Sequence, residues 1–457
     1  MSGLYTRFVS RVLFPLHERL KHHDSVALRE RLERSQWLEP AQIRQLQLDR
    51  LRAFLADVGR RVPYYRELFT RIGFDPAALR SVADLARLPL LDKATIRRHA
   101  ESMKADGHGP LSRYNTGGSS GQPLVFYIWF VRKSRDVAAM LRSTCLCCVE
   151  IAATEAVIWG SPIEHGAQDR LRLWRDRLLR STLLPAFEMS EARLDEFVAW
   201  LRRHRPRMLF GYPSALSYIA RHAQQRGVRL DDLGVKVAFV TSERLYDEQR
   251  ALIERTFACR VANGYGGRDA GFIAHECPSG RLHLSAEDIV VETVDERGMP
   301  TPTGQGGEIV VTHLATADFP FVRYRTGDVG LVDDARCDCG RGLPVLADLQ
   351  GRTTDFVVAA DGTVMHGLAL IYIVRDLPGI AGFKVTQETR TRTTVDLVPE
   401  GDFDPAVIPG IVDGFRRRLG AQVEVQVRTV DTIAPEASGK YRYIVSHALD
   451  GIEATTT

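Results

Sequence analysis

Between Glu155 and Phe257, short apolar runs rich in β-branched residues alternate with helical repeats, and this alternation constrains the chain more than any other feature. "EAVIWGSP" precedes a helical stretch, "RPRMLFGYPSALSYIARHAQQRG" passes from strand through turn to helix, and "VKVAFVTSERLYDEQRALIERTF" repeats the pattern. Strands alternating with helices predict an α/β core whose strand-end loops hold ligands. Upstream, from about Pro40 to Ala105, "AQIRQLQLDRLRAFLADVGRRV" and "SVADLARLPLLDKATIRRHAE" read as helices. From Asp288 the runs shorten to "IVVETVD", "GEIVVTHL" and "DVGLVDD" between Gly/Pro turns, which predicts a β-rich subdomain. A boundary is expected near "LQGRTTDF", Leu349 to Phe356. Beyond it "GFKVTQET", "TTVDLVPE", "DPAVIPGIVDGFRRRLG" and "VEVQVRTV" form a β-β-α-β unit. The expected fold class is α/β: a large domain over residues 1–350, then a small α+β domain over residues 351–457.

At 457 residues, with 44% hydrophobic and 26% charged residues, the chain can bury a large core in two or more domains. Its formal charge of +4 is spread through mixed-sign segments, which argues against nucleic acid as a partner. No uncharged apolar run reaches membrane-spanning length, no secretory signal opens the chain, and the seven cysteines mostly lack disulfide-like spacing. A cytoplasmic protein is expected. "LYTRFVSRVLFPLHERLK", Leu4 to Lys21, interleaves Phe8, Val12, Leu13 and Leu16 with Arg7, Arg11, Arg19 and Lys21. It reads as a helix packed on its own domain, with weak membrane-surface contact as the alternative, and Pro15 interrupts both versions. Cys145, Cys147 and Cys148 in "TCLCCV" are expected to be buried small hydrophobes.

"YNTGGSSGQPLVFY", Tyr114 to Tyr127, concentrates glycine and small hydroxyls in one loop. Backbone bare of side chains approaches a ligand closely, and consecutive N–H groups suit phosphate oxygens. Gly121 is followed by Gln122 and Pro123, so the loop lacks the lysine of the P-loop pattern, and the G-x-G-x-x-G spacing is absent too. Alone it is compatible with an ordinary turn. Four later stretches accompany it: "VTSERL" with Ser242 and Glu243, "NGYGGRDAG" with Tyr265, Gly266 and Asp269, "FVRYRTGD" with Asp328, and "EASGKYRY" with Lys440.

In that order these motifs resemble the adenylate-forming ligases, specifically the phenylacetate-CoA ligase family and the capsular-polysaccharide-associated proteins related to it. The resemblance runs from "RLRAFLADVGRRVPYYRELF" to "SGKYRYIVSH". It implies an adenylation domain followed by a mobile small domain. It implies that Thr116, Gly117, Gly118, Ser119, Ser120 and Gly121 meet the pyrophosphate end of ATP, that Ser242 and Glu243 border adenine, and that Tyr265 and Gly266 lie along the ring. Asp328 would accept from the ribose hydroxyls, Arg352 of "GRTTDF" would contact nucleotide at the hinge, and Lys440 would supply the cation that the loop lacks. Asp269 stands where the family has Glu as its Mg²⁺ ligand, one methylene shorter. The implied activity is ATP-dependent conversion of a carboxylic acid, aromatic by family, to an acyl-adenylate and transfer to coenzyme A. Trp159, Tyr212 and His165 are candidates for the acid pocket.

Two departures bear on the acceptor rather than on adenylation. Thr353 and Thr354 precede a single Asp355 at the hinge, and "AADGTVMHG" replaces the family's Arg-Gly-x-Asn-x-Phe-Pro segment. An amine or hydroxyl acceptor is therefore an alternative to coenzyme A, and a non-catalytic zinc-stabilised nucleotide-binding scaffold is a third reading.

Cys277 and His283 in "CPSGRLH" with Cys337 and Cys339 in "CDC" match a closed structural zinc site, His275 being the rival nitrogen ligand. Such a site would tie the turn after the Tyr-Gly motif to the turn after the ribose loop. The expected partners are a small-molecule carboxylate, coenzyme A or another acceptor, and a second copy of the chain in a homodimer.

Overall fold

The computed structural model describes all residues but 1, 116–123, 148, 160–174, 187–190, 296, 303, 334, 353–355, 362–363, 367–369, 371–372, 375–376, 402, 434–443 and 449–457. Strands β1 (Ser112–Asn115) and β2 (Val125–Ile128) pair antiparallel on either side of the glycine-loop sequence. Then β3 (Glu155–Trp159), β4 (Ser181–Pro185), β5 (Met208–Gly211), β6 (Val237–Thr241) and β7 (Arg260–Gly267) run parallel in the order β4-β3-β5-β6-β7. β3, β5 and β6 are the runs that alternate with helices in the sequence, and β4 and β7 extend them. Val237 to Val240 is apolar at every position and buried at every position, as a strand covered on both faces must be.

The crossover helices start and stop where the sequence directs. Pro213 opens the helix Pro213–Gln225, where its missing N–H costs nothing, and Ala258 in the left-handed region ends the helix Asp247–Phe257. Leu216, Ile219, Ala220 and Ala223 of the first helix pack with Ile253 and Phe257 of the second in one core cluster.

At β7 the sheet changes character. β8 (Gly271–Glu276) returns antiparallel along β7, and β9 (Leu282–Leu284), β10 (Ile289–Val294), β11 (Gly307–His313), β12 (Tyr324–Asp333) and β13 (Val345–Arg352) extend the same sheet in the order β7-β8-β9-β13-β12-β11-β10. The predicted β-rich part therefore shares one sheet with the α/β core. At the head of β12, Arg323 is 2% exposed and lies at φ 51°. Its guanidinium bonds both Glu292 oxygens (3.2 and 3.2 Å) and the carbonyls of Leu88 (2.6 Å) and Gly298 (2.7 Å). A buried charge persists only with such a full set of partners.

One compact unit runs to Leu349 and a second begins at Gln350. In the second, β14 (Phe356–Val358) and β15 (Val364–His366) form a hairpin, and β16 (Ile380–Thr389), β17 (Arg392–Pro399), β18 (Glu424–Thr429) and β19 (Ile444–Ser446) form a sheet ordered β18-β17-β16-β19. Phe383, Val385, Val395 and Leu397 pack against Ile411, Phe415 and Leu419 of the helix Ile408–Leu419. The buried Gln387 amide donates to the Val358 carbonyl (2.7 Å) and accepts from the Val358 N–H (2.9 Å), fastening the hairpin to this sheet.

Two local expectations change. Cys145 and Cys147 are only partly buried, because the helix Phe130–Leu146 ends there; Cys148 lies outside the described residues. The N-terminal segment stays helical through Pro15: Ser2–Phe8 and Phe14–Leu20 are α-helical and join through a π turn at Val9–Leu13. Pro15 falls in the first turn after that π segment, where a missing N–H is tolerated. Among the described residues, no helix is long and apolar enough to cross a membrane.

Candidate functional site

In a sheet of this kind ligands bind beyond the carboxyl ends of the parallel strands. The loops there carry the motif residues. Thr241 ends β6 opposite Gly264 of β7, so Ser242 and Glu243 leave the sheet beside Tyr265. Ser242 has φ 71°, a left-handed backbone uncommon for serine, and such strain tends to persist at functional turns. The Glu243 carboxylate accepts the Ser214 N–H (3.2 Å) from the start of the preceding crossover helix, Pro213–Gln225.

Two tyrosine–aspartate bonds close the arrangement. Tyr265 donates its hydroxyl to Asp328 Oδ2 (2.8 Å), and Tyr324 donates to Asp269 Oδ2 (2.6 Å). The strand β12, which holds Asp328, thus also supplies the hydroxyl that holds Asp269. Asp269 Oδ1 takes the Ala270 N–H (3.1 Å). Thr326 Oγ1 donates to the Ile309 carbonyl (2.7 Å) and accepts the Asp328 N–H (3.1 Å), which shapes the bulge of β12 around Gly327 at φ 76°.

Gly266 has a plain steric reason to be glycine. A Cβ there would lie 2.3 Å from the Gly271 carbonyl oxygen across the β7–β8 hairpin. Arg132 escaped the sequence reading altogether. It is 2% exposed, and its guanidinium grips the carbonyls of Arg268 and Asp269, each at 2.9 Å. Asp136 stands behind it at 3.4 Å; burial alone would raise that carboxyl, but Arg132 and then His313 outweigh it and hold it below its ordinary range. Burial lowers the pKa of His313, whose Nδ1 accepts the Ala315 N–H (3.2 Å) while Nε2 lies 3.6 Å from Asp136 Oδ1.

Arg132→Met should therefore let the Asp269 turn drift and slow pyrophosphate exchange about 10- to 100-fold, with zinc content unchanged. Arg132→Lys should fall between, because one ammonium cannot grip two carbonyls in a fork. Exchange by the folded fraction of Arg132→Met at the parental rate would remove Arg132 from the site.

Trp159, at the end of β3, stacks on Tyr212 at 4.3 Å and 25° and on Phe210 at 5.8 Å. Tyr212 is 4% exposed and belongs to the core, so its first role is packing. Thr116 to Gly121, His165 and Lys440 lie outside the described residues. Arg352 ends β13, in the unit that begins at Gln350.

The cysteine residues converge as their spacing suggests. One ligand atom from each of Cys277, His283, Cys337 and Cys339 lies within 4.8 Å of all the others. Cys277 Sγ and Cys337 Sγ are 3.7 Å apart, and Cys339 Sγ lies 3.2 Å from His283 Nε2. Four bonds of about 2.0 to 2.3 Å around tetrahedral zinc put sulfurs about 3.8 Å apart, so the donor set fits within about an ångström of adjustment. Two like turns present the sulfurs: Gly280 N–H bonds the Cys277 carbonyl (2.9 Å), and Gly340 N–H bonds the Cys337 carbonyl (3.0 Å). The repeated Cys-x-x-Gly of "CPSG" and "CDCG" was a sequence signal for this pairing.

Burial pushes His283 down to about 4, and its Nδ1–H donates to the Leu343 carbonyl (3.1 Å), leaving the Nε2 lone pair toward the sulfurs. His275, the rival, pairs with His283 across β8 and β9 but is not among the four converging groups. It stacks instead against Phe272 at 6.1 Å.

Known proteins resemble the chain in sequence and in fold. The family described as the CapK C-terminal domain matches residues 357–447. Phenylacetate-coenzyme A ligase of Thermus thermophilus is 26% identical over 331 residues, covering 69% of this chain and 72% of that protein. Protein CapK of Staphylococcus aureus is 23% identical over 407 residues, covering 88% of this chain and 89% of that protein. In fold, 2-hydroxyisobutyryl-CoA ligase in a postadenylation state superposes with a TM-score of 0.72 at 19% identity, over 92% of this chain and 93% of that one. Over nearly its whole length the chain thus has the fold of the adenylate-forming ligases, and its sequence resembles the phenylacetate-coenzyme A ligases and CapK.

Proposed function

We infer that the protein joins a carboxylic acid to the α-phosphate of ATP and then passes the acyl group to coenzyme A. The observation that carries this reading is the pair of bonds Tyr265–Asp328 and Tyr324–Asp269 at the carboxyl ends of the parallel strands. They set one carboxylate for the ribose hydroxyls and another, on the adjoining turn, for the metal that accompanies the phosphates. In the first step a substrate carboxylate oxygen attacks the α-phosphorus and pyrophosphate leaves; in the second a thiolate attacks the acyl carbon and AMP leaves. Magnesium, when bound, would neutralise phosphate charge, and Asp269 is the side chain placed to hold it. Asp328 would orient the ribose, and Tyr265 would lie along the adenine while holding Asp328 in place. Zinc, held by Cys277, His283, Cys337 and Cys339, would be structural, since all four positions are filled by protein.

An aromatic acid is the first substrate to try, in keeping with the name phenylacetate-coenzyme A ligase carried by the Thermus thermophilus relative. A different acceptor deserves a place in the same experiment. The phenylacetate-coenzyme A ligase match covers 69% of the chain, the CapK match covers 88%, and the family assigned to residues 357–447 is CapK's. Residues 357–447 thus resemble CapK in family, while the fold of a coenzyme A ligase also runs over 92% of the chain, so both acceptors are tested together. Pyrophosphate release should be followed over aryl and short hydroxy acids with ATP, with and without coenzyme A, and products identified by mass spectrometry. Acyl-CoA formation is the expected result. Adenylate that accumulates without thioester, but is consumed by an amine or a sugar hydroxyl, would replace the acceptor. No pyrophosphate release with any acid, from protein that still binds ATP, would favour the scaffold reading.

A further inference from the structure

We propose that the N-terminal helical segment Ser2–Leu20 is a docking face for an anionic lipid surface. Six large apolar side chains in it stay exposed: Leu4 (82%), Tyr5, Phe8, Val12, Leu16 and Leu20 (74%). Leu4, Phe8, Val12, Leu16 and Leu20 recur every four residues. In a uniform α-helix that spacing would drift around the axis by about 40° per step. The π turn Val9–Leu13 takes more residues per turn and checks the drift, so the stripe stays on one side. The opposite side is spoken for: Thr6, Val9 and Glu18 are buried against the rest of the unit.

Charge identifies the occupant. Arg7, Arg11, Arg19 and Lys21 are all exposed. Glu18, the only acid between Leu4 and Lys21, is turned inward, where it accepts the Ser25 hydroxyl (2.5 Å) and faces His17 and His23 at 3.2 Å each. The outward charge of the segment is therefore wholly positive. A second element continues the face: Leu178 is 47% exposed, the Tyr5 hydroxyl donates to its carbonyl (3.1 Å), and the Arg180 guanidinium lies 5.7 Å from the Tyr5 ring centre. Exposed leucines and aromatics bordered by arginines, with no outward acid, are what a helix lying in a lipid interface requires. A second copy of the chain would bring the same positive charge to the contact and be repelled.

The test uses the full chain in flotation with vesicles of phosphatidylcholine alone or mixed with phosphatidylglycerol. Binding is expected to the mixed vesicles, to weaken with added salt, and to be at least about tenfold poorer on the neutral ones. Leu4→Gln/Phe8→Gln/Leu16→Gln should abolish flotation, and Arg7→Gln/Arg11→Gln/Arg19→Gln should weaken it about 100-fold, both without changing thermal melting or pyrophosphate release. If either variant melts differently, the salt and lipid dependence of the parent protein decides alone. Absence of flotation with the anionic vesicles overturns the proposal, as does equal flotation with both kinds. Concentration-dependent dimers that the leucine–phenylalanine variant dissolves, in place of flotation, would assign the face to a second copy.

Discussion

Lys440→Ala is expected to slow acyl-adenylate formation by about 10² to 10³ while leaving the fold and ATP binding nearly intact, the usual effect of losing one preorganised charge-stabilising donor. The argument starts from what is absent in "NTGGSSGQP": a glycine loop that can meet phosphates but brings no cation. In-line attack at the α-phosphorus builds negative charge on the attacking carboxylate and the bridging oxygen. "ASGKYRY" offers a lysine after a glycine, in the small unit. Transfer of the acyl group from preformed acyl-adenylate should suffer far less, because that charge exists only in the first half-reaction. Measuring the two half-reactions separately gives the decision. A solvated lysine would leave both unchanged, and near-parental adenylation by the variant would refute the role.

Purified protein prepared without chelator should carry about one zinc per chain, and Cys277→Ala should lose it together with about 3 kcal/mol or more of stability. Cys277 is 4% exposed and Cys337 7%, so an empty site leaves three thiols and a histidine crowded in the interior without the ion that reconciles them. Burial raises the Cys337 thiol to about 11, so zinc binding there as a thiolate releases a proton. Chelation should open the two cysteine turns to protease before the parallel core unfolds, since Ala262 and Val237 belong to other packing clusters. Metal-free protein with parental melting, or protein isolated gently with no zinc, would end the assignment.

The parallel core could be read from the chain because its period and punctuation are local: Met208–Gly211 and Val237–Thr241 are each followed within a few residues by a helix that the same stretch encodes. The convergence of Cys277, His283, Cys337 and Cys339 could be read because cysteine is rare and the two turns repeat. The β7–β8 hairpin could not, since "NGYGGRDAGF" looks like a turn, and only the approach of Gly271 to Gly266 reveals the strands on either side. Tyr324 and Arg132 were hidden for a different reason. The first meets Asp269 across 55 positions and the second across 137, and one sequence contains no signal that links residues so far apart. Of the nucleotide motifs, Ser242, Glu243, Tyr265, Asp269 and Asp328 gather on neighbouring turns of one unit.

Trp159 lies in a run of rings that steps from Tyr212 through Phe210 and Phe239 to Phe272, with interplanar angles of 25°, 18°, 18° and 26°. A tryptophan in such a column emits light against fixed neighbours, so the part of the five-tryptophan emission that Trp159→Phe removes reports on the end of β3 without any attached dye. An acid that slid against the indole or pushed it from Tyr212 would change that emission within the dead time of mixing. Acids that entered beside Trp159 would thus be told apart by light before any bond is made.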